Sequence, residues 1–161
     1  MDTSHEVNRE KTTTTWLTPP DIIKSLGEFD LDPCTPEFMP WQTAAHRYTE
    51  AEDGLKQKWF GRVWLNPPYG EGMGEWLKKM AAHGNGIALL FKRSETENFQ
   101  NYIFPVADAI LFKRGRIHFL NNDGVKVGNG SGTGSVFVAY GKNNVQALIE
   151  SKIIGKLIIL K

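Results

Sequence analysis

The stretch from Trp64 to Gly70 places groups that could hold a planar amine directly after a short apolar segment. The Asn66 side chain offers a carbonyl oxygen that accepts hydrogen bonds. Pro67 and Pro68 have fixed φ angles and no N–H groups, so they would hold a turn rigid and present carbonyl oxygens. Tyr69 offers a flat face on which a ring can stack. Two acceptors, the Asn66 side chain and the Pro67 carbonyl, could take both protons of an exocyclic amine and turn its lone pair toward an electrophile.

The segments on either side of this stretch would hold it in place. Arg62 to Leu65 is typical of a strand, with β-branched and aromatic residues after a glycine. Met73 to His83 carries Trp76, Leu77 and Met80 at helical spacing and therefore predicts a helix. A polar amide would thus lie at the end of a buried strand. The alternative interpretation is a tight turn with an aromatic plug.

Apolar runs alternate with helical patterns further along the chain, which indicates an α/β protein with a parallel sheet. Gly86 to Lys92 and Ala107 to Phe112 are typical of strands buried on both faces. The glycine-rich stretch 127–135 is interpreted as a mobile loop near the active edge or as a linker between strands. The other expected elements are a helix from about Glu95 to Phe104, a strand at Ser135 to Tyr140, a helix at Asn144 to Ser151, and a last strand or buried tail at Ile153 to Leu160.

Two segments before the central stretch could face a ligand. Thr18 is expected to cap a helix that has Pro19 in its first turn and ends at Gly27. Alternatively, Thr18 and Pro19 face a ligand. Phe29 to Cys34 predicts a short strand ending at Asp32, and ligands bind outside the carboxyl ends of strands in open α/β sheets. Asp32 could therefore pair with a cationic amine, or it is an exposed turn residue before a proline.

The segment 36–58 shows no convincing long strand. Its acidic cluster is typical of a solvated loop. Asp53 could instead accept a hydrogen bond from an adenine amino group or a sugar hydroxyl, with Gly54 permitting close backbone approach. No Gly-x-Gly run follows Asp32, so the sequence does not predict a glycine-rich loop that binds phosphate.

Cationic side chains gather after two predicted strands. Lys92 and Arg93 follow one of them, and Arg114 and Arg116 lie just beyond another. Because the carboxyl ends of parallel strands meet at one edge of a sheet, these four residues could form a patch that contacts the phosphates of a polyanion. They could also be ordinary surface charges, with Gly115 in a turn.

The composition is that of an ordinary soluble domain. The chain has 161 residues, of which 40% are hydrophobic and 23% charged, and its formal net charge is +1. No apolar run reaches the roughly 20 residues of a membrane helix. We expect a cytoplasmic protein with a flexible arm at residues 1–15, which lack an apolar signal core, and one domain at 16–161. Cys34 is the single cysteine and suits a reducing compartment, and the histidines lack the spacing of metal ligands.

Taken in order, these features resemble the phage-type, Dam-like DNA adenine-N6 methyltransferases. Only the Asn-Pro-Pro-Tyr stretch is specific for this family by itself. The other segments support the resemblance through their order and spacing. The matching segments are Trp16 to Pro19, Leu31 to Cys34, Glu52 to Leu55, Trp64 to Gly70, Lys92-Arg93 with Thr96, and Gly115 to Phe119.

This resemblance implies an α/β, single-domain class I methyltransferase fold. It would be Rossmann-like, with a minimal, mostly parallel sheet, flanking helices and no separate target-recognition domain. The resemblance implies S-adenosylmethionine as cofactor and DNA as substrate. Its implied catalytic residues, which would hold the adenine, are Asn66, Pro67, Pro68 and Tyr69. Its implied cofactor-binding residues are Trp16, Thr18, Pro19, Asp32, Pro33, Cys34, Asp53 and Asn66.

One departure from the family pattern is expected. Because the segment 36–58 predicts no strand, the second and third strands of the full fold should be missing. The acidic residue that usually grips the cofactor ribose should be missing with them.

Two other interpretations stay open. Asn-Pro-Pro-Tyr also occurs in enzymes that methylate protein glutamine, and related motifs occur in enzymes that act on RNA bases, so the motif alone does not choose the methyl acceptor. A catalytically degenerate methyltransferase fold that only binds nucleic acid would also explain the missing glycine loop.

Overall fold

The computed structural model describes residues 16–126 and 133–161. The predicted arm at 1–15 and most of the glycine-rich stretch 127–135 lie outside the described residues. Within the described ranges, no helix has the length and apolar character needed to cross a membrane.

One sheet dominates the described part of the chain. Its strands are β1 (Leu31–Asp32), β2 (His46–Arg47), β3 (Val63–Leu65), β4 (Gly86–Phe91), β5 (Ala109–Lys113), β6 (Ser135–Tyr140) and β7 (Gly155–Ile159). They form a seven-stranded sheet in the order β2-β1-β3-β4-β6-β5-β7.

The strand directions bring most carboxyl ends to one edge of the sheet. β1 pairs in parallel with β2 and β3, and β3 pairs in parallel with β4. β6 pairs antiparallel with both β4 and β5, so β5 runs in the same direction as β4. β7 is antiparallel to β5. The predicted α/β class is therefore confirmed. The expectation of a mostly parallel sheet holds in the first part of the chain, whereas the pairings in the second part are antiparallel.

Helices cover both faces of the sheet. They are α1 (Pro20–Ser25), α2 (Met73–His83), α3 (Glu97–Tyr102) and α4 (Lys142–Glu150). Leu77 of α2 and Phe99 of α3 pack into the apolar cluster on one face. Ile23 of α1 and Leu148 of α4 pack into the cluster on the other face. Successive residues of β4 alternate between the two clusters, which confirms the prediction of a strand buried on both faces.

The predicted helix cap at Thr18 is wrong. The N-cap residue is Pro19, no side chain caps the helix, and the first helical residue is Pro20. Thr18 is buried, with 2% of its surface exposed. Its hydroxyl contacts another part of the chain and is therefore not used by the helix.

A short strand also lies where none was expected. β2 runs parallel to β1, and the amide of His46 donates to the Asp30 carbonyl at 2.9 Å. The amide of Tyr48 donates to the Asp32 carbonyl at 2.9 Å. Two residues are too few to produce a periodic apolar pattern, so the strand is defined by its backbone partners and leaves no local signal.

Arg62 ties the start of β3 to α1 and α4. Its guanidinium donates to the carbonyls of Leu26 at 2.7 Å and Glu28 at 2.9 Å. Its Nε donates to Oδ1 of the fully buried Asn144 at 2.6 Å. The guanidinium also lies 4.1 Å from the centroid of the Phe29 ring, in cation–π geometry.

We expect Arg62→Met to lower the free energy of unfolding by about 2–4 kcal/mol, because it leaves buried acceptors without a donor. Urea denaturation followed by circular dichroism measures the change. Lys78→Met on the exposed side of α2 is the matched control and should change stability by less than about 0.5 kcal/mol. If Arg62→Met lowers the free energy of unfolding no more than the control does, the stabilising role of the guanidinium is contradicted.

Candidate active site

A cavity of about 880 Å³ lies at the edge where the parallel strands end. Asp32 at the end of β1, Asn66 directly after β3 and Phe91 at the end of β4 all line it. Open α/β sheets bind their ligands outside the carboxyl ends of the strands. The volume falls within the range of small-molecule sites. The cavity is therefore the candidate active site.

The structure brings together nearly all residues predicted to bind a cofactor or to act in catalysis. Pro19 is the exception, because it lies at the N-cap of α1, outside the cavity lining. The predicted residues that line the cavity are Trp16, Thr18, Asp32, Pro33, Cys34, Asp53, Asn66, Pro67, Pro68 and Tyr69.

Asn66 is held by residues from two other parts of the chain. Its Nδ2 donates to Oγ1 of Thr18 at 3.2 Å. Its main-chain oxygen accepts a hydrogen bond from Sγ of Cys34 at 3.0 Å. Among the described residues, neither Asn66 Oδ1 nor the Pro67 carbonyl has a hydrogen-bond partner. Two acceptor oxygens therefore stay available to a ligand.

Tyr69 belongs to a row of aromatic rings. Its ring stacks on Phe91, with the centroids 4.2 Å apart and the planes 19° apart. Phe91 contacts Phe119 edge-on at 6.5 Å, and Phe119 contacts Trp16 at 5.5 Å. Tyr69 is still 42% exposed. Phe91 covers one face of the Tyr69 ring, so the other face can receive a second ring.

Asp32 is a buried carboxylate in the cavity wall. Its Oδ2 accepts from Oγ1 of Thr43 at 2.5 Å, and its Oδ1 accepts from the amide of Cys34 at 3.2 Å. Burial raises the pKa of Asp32 to about 6, because the charged form loses its solvation. The hydrogen bond from Thr43 and the charge of Arg47 act in the opposite direction.

Sequence reasoning missed the residues that β2 and its flanking loops bring to the cavity. Thr49 and Glu50 line the cavity because β2 runs beside β1 and ends at the same edge. The expectation that this segment has no strand is corrected by β2, and Glu50 places a carboxylate in the cavity lining. Thr43 lies in an irregular loop, and no local pattern distinguishes it from its neighbours.

Asp53 and Gly54 form a turn under the cavity. Asp53 adopts a φ of 53°, in the left-handed region that Asp tolerates better than most residues, and its carboxylate pairs with Lys56 at 3.3 Å. A Cβ on Gly54 would overlap the carbonyl of Pro33. The close approach predicted for Gly54 is therefore to the protein backbone.

The predicted cationic patch lies at the same sheet edge but outside the cavity lining. Lys92 and Arg93 follow β4, Arg114 follows β5, and Arg116 lies two residues further on. All four residues are exposed. Because β3, β4 and β5 run in the same direction, both pairs lie at the same sheet edge as Asn66, on the β4 side of it.

The amino-acid sequence matches one known protein family over most of its length. A model of the DNA N-6-adenine-methyltransferase (Dam) family matches residues 4–153. The chain belongs to this family. It is therefore an enzyme that methylates adenine at N6 in DNA, which confirms the predicted family and activity. A search of curated proteins and a search of solved structures found no match.

Membership of the Dam family decides between the interpretations that the motif left open. The match runs through every residue that lines the cavity. DNA adenine is therefore favoured as methyl acceptor over protein glutamine and RNA bases. Among residues 16–126 and 133–161, no group of three or more His, Cys, Asp or Glu side chains could hold a metal ion.

For this Dam family member, we expect Thr43→Val to raise the pKa of Asp32 above about 6, because the Thr43 hydroxyl stabilises the ionised form. The ordinary pKa of the carboxyl is 3.8, so the folded protein holds the proton more tightly than the unfolded chain. The stability that Asp32 contributes is therefore fully present below a pH of about 4 and is lost as the pH rises through about 6. A carbon-13 NMR titration of the carboxyl carbon measures the pKa.

Thr49→Val is the matched control for this titration. Thr49 lines the same cavity, but its hydroxyl donates to Glu52 at 3.2 Å. The Asp32 pKa should therefore stay unchanged in the control. Equal shifts in the two variants would contradict the assigned role of Thr43.

Proposed function

We propose that this chain transfers a methyl group from S-adenosylmethionine to N6 of adenine in DNA, with Asn66 and the Pro67 carbonyl holding the amine. One observation carries the proposal. Two available acceptor oxygens lie together at the end of a buried strand, in the wall of a cavity that also contains the Asp32 carboxylate. An exocyclic amine donates the two hydrogen bonds that such a pair accepts.

The residues of the cavity fit S-adenosylmethionine. The cofactor carries an ammonium group, for which the buried Asp32 carboxylate is a suitable partner, since its pKa of about 6 keeps it ionised at neutral pH. Glu50 and Asp53 offer carboxylate oxygens for ribose hydroxyls, and Trp76 and Met39 provide apolar walls. When bound, the cofactor supplies an electrophilic methyl group on a sulfonium.

A class I methyltransferase core would bring the two reactants side by side. β1 and β3 are hydrogen-bonded neighbours and run in parallel. Asp32 at the end of β1 and Asn66 after β3 therefore lie about one strand spacing apart, near 5 Å in the direction across the sheet. The cofactor would lie on the β1 side of the cavity and the adenine on the β3 side.

The chain contributes positioning and electrostatics to the transfer. A sulfonium is already a strong electrophile, so no base needs to remove a proton before attack. Asn66 Oδ1 and the Pro67 carbonyl would accept the two N–H groups and turn the N6 lone pair toward the methyl group. As the bond from N6 to the methyl carbon forms, the bond from that carbon to sulfur would break and leave a thioether. N6 would become positively charged until it releases a proton to solvent, so both hydrogen bonds would strengthen in the transition state. Alignment of the reacting atoms supplies a further part of the rate enhancement.

Tyr69 would receive the adenine when it leaves the double helix. Extrusion of a base costs a few kcal/mol. Stacking on an aromatic side chain contributes about 1–3 kcal/mol and offsets part of that cost. The open face of the Tyr69 ring can supply this contact, because Phe91 supports the opposite face.

The cations that follow β4 and β5 would contact the DNA backbone. They are exposed and lie at the same sheet edge as Asn66, where the adenine would enter. The formal net charge of the chain is only +1, so attraction for DNA has to come from a local patch. Phosphate contacts from this patch would hold the duplex while the base is turned out.

We expect the purified wild-type protein, incubated with DNA and S-adenosylmethionine, to produce N6-methyladenine, detected by mass spectrometry of the digested nucleosides. Asn66→Ala should lower the turnover at least about 100-fold, because it removes an acceptor that strengthens in the transition state. Cofactor affinity, measured by calorimetry, should change little.

Asn66→Asp is the matched control for this variant. A carboxylate keeps an acceptor oxygen at the same place, so measurable turnover should remain. Near-normal turnover in Asn66→Ala would refute the role of the amide. Methylation of a different nucleoside by the wild-type protein would refute the proposed acceptor.

If the cationic patch binds phosphates, replacing Arg114 and Arg116 together by Gln should make DNA binding less sensitive to salt. The slope of log affinity against log salt concentration should become shallower by about 0.9 for each phosphate that the variant no longer neutralises. Fluorescence anisotropy over a salt series measures the slope.

The control for the cationic patch replaces Lys24 and Lys142 by Gln. Lys142 follows the end of β6, and Lys24 lies near Leu26, whose carbonyl contacts Arg62 at the start of β3. Both lysines are therefore at the opposite edge of the sheet and should leave the slope unchanged. Identical slopes for the two double variants would remove Arg114 and Arg116 from the DNA interface.

A further inference from the structure

We infer that Thr18 is a positioning residue for methyl transfer, because its hydroxyl anchors the Asn66 amide through Nδ2 and leaves Oδ1 for the substrate amine. This inference rests on the proposed function and assigns Thr18 a task other than the predicted cofactor contact. Its basis is the hydrogen bond from Asn66 Nδ2 to Thr18 Oγ1 at 3.2 Å.

The orientation of the Asn66 amide decides whether the site can hold an amine. One end of the amide accepts hydrogen bonds and the other end donates them. With Nδ2 bound to Thr18, Oδ1 is the end that remains for the ligand. Half a turn about χ2 would exchange the two ends and place an NH2 group against the N6 amine. Two donor groups facing each other cannot form a hydrogen bond, so the inverted amide would be unproductive.

Thr18 is held firmly enough to act as a reference point for the amide. The adjacent Leu17 forms two backbone hydrogen bonds with Leu120, each of 2.9 Å. Pro19 and Pro20 follow directly, and their φ angles are fixed. Only 2% of the Thr18 surface is exposed. A buried hydroxyl requires a partner, and the amide of Asn66 supplies it.

The main chain of Asn66 is held independently of Thr18. Sγ of Cys34 donates to the Asn66 carbonyl at 3.0 Å. Burial raises the pKa of the Cys34 thiol, so the thiol keeps its proton and its ability to donate. The backbone of Asn66 can thus stay in place when the Thr18 hydroxyl is removed, and a Thr18 variant tests the anchoring of the side chain.

The test compares Thr18→Val and Thr18→Ser with the wild-type enzyme. Valine has nearly the shape of threonine but no hydroxyl, whereas serine keeps the hydroxyl. We expect Thr18→Val to lower kcat for DNA methylation by about tenfold, the loss of one productive hydrogen bond. Thr18→Ser should restore kcat to within about threefold of the wild-type value. The dissociation constant for S-adenosylmethionine, measured by calorimetry, should stay within about twofold in both variants.

A double-variant comparison shows whether Thr18 acts through Asn66. Asn66→Ala leaves no side-chain amide for the Thr18 hydroxyl to hold. Adding Thr18→Val to Asn66→Ala should therefore lower kcat by less than about threefold, compared with about tenfold when Asn66 is present. A global disturbance of the fold would lower kcat equally in both backgrounds.

Three outcomes would overturn the inference alone. One is an unchanged kcat in Thr18→Val, another is a loss of activity explained by weaker cofactor binding, and the third is an equal loss in the Asn66→Ala background. An inactive wild-type protein would overturn the proposed function, and this inference with it. The two failures are therefore distinguished by the activity of the wild-type enzyme.

Discussion

The hydrogen bonds that hold Asn66 are the interaction on which the site depends. They come from Thr18 and Cys34, which are 48 and 32 residues away in the sequence. The bond from Cys34 requires β1 and β3 to lie side by side. The bond to Thr18 requires Leu17 to pair with Leu120. Assembly of the fold therefore creates the acceptor geometry of Asn66.

A second constraint is the burial of Asp32. A carboxylate away from solvent destabilises the folded protein when it is charged, and hydrogen bonds from Thr43 and Cys34 offset only part of that cost. The raised pKa of Asp32 reflects the part of the desolvation cost that these hydrogen bonds do not offset. Strongly perturbed carboxylates in a cavity are characteristic of functional sites. A bound cation would offset the desolvation of the Asp32 carboxylate, so ligand binding should stabilise the folded protein.

Different parts of the sheet edge suit different parts of a nucleic acid. The row of rings from Trp16 to Tyr69 offers apolar faces, which every base can use and which carry little sequence information. The exposed cations beyond β4 and β5 suit phosphates, whose attraction is equally independent of sequence. Stacking and charge are therefore segregated, and under the proposed function the amide of Asn66, next to the rings, would be the group that distinguishes an amine from other base edges.

Local patterns in the amino-acid sequence were sufficient for the elements with strong periodicity and for the rigid elbow after β3. The helix predicted at Met73 to His83 has those bounds in the structure, and the predicted strand at Ser135 to Tyr140 is equally accurate. Burial on both faces of β4 followed from its continuous apolar run. The residues at this strand end were found because prolines and an aromatic ring after an apolar strand form a distinctive combination.

The other features of the site depend on contacts between residues that are distant in the sequence. The short β2 acquires its structure from the backbone of β1, and it carries Glu50 to the cavity. Thr43 and Thr18 have ordinary sequence neighbours, and their roles arise from contacts with Asp32 and Asn66 across the fold. A hydrogen bond depends on distances of about 3 Å between atoms, whereas sequence patterns report only on neighbours along the chain. Periodicity therefore identified the longer strands, and the three-dimensional packing decided which polar atoms meet.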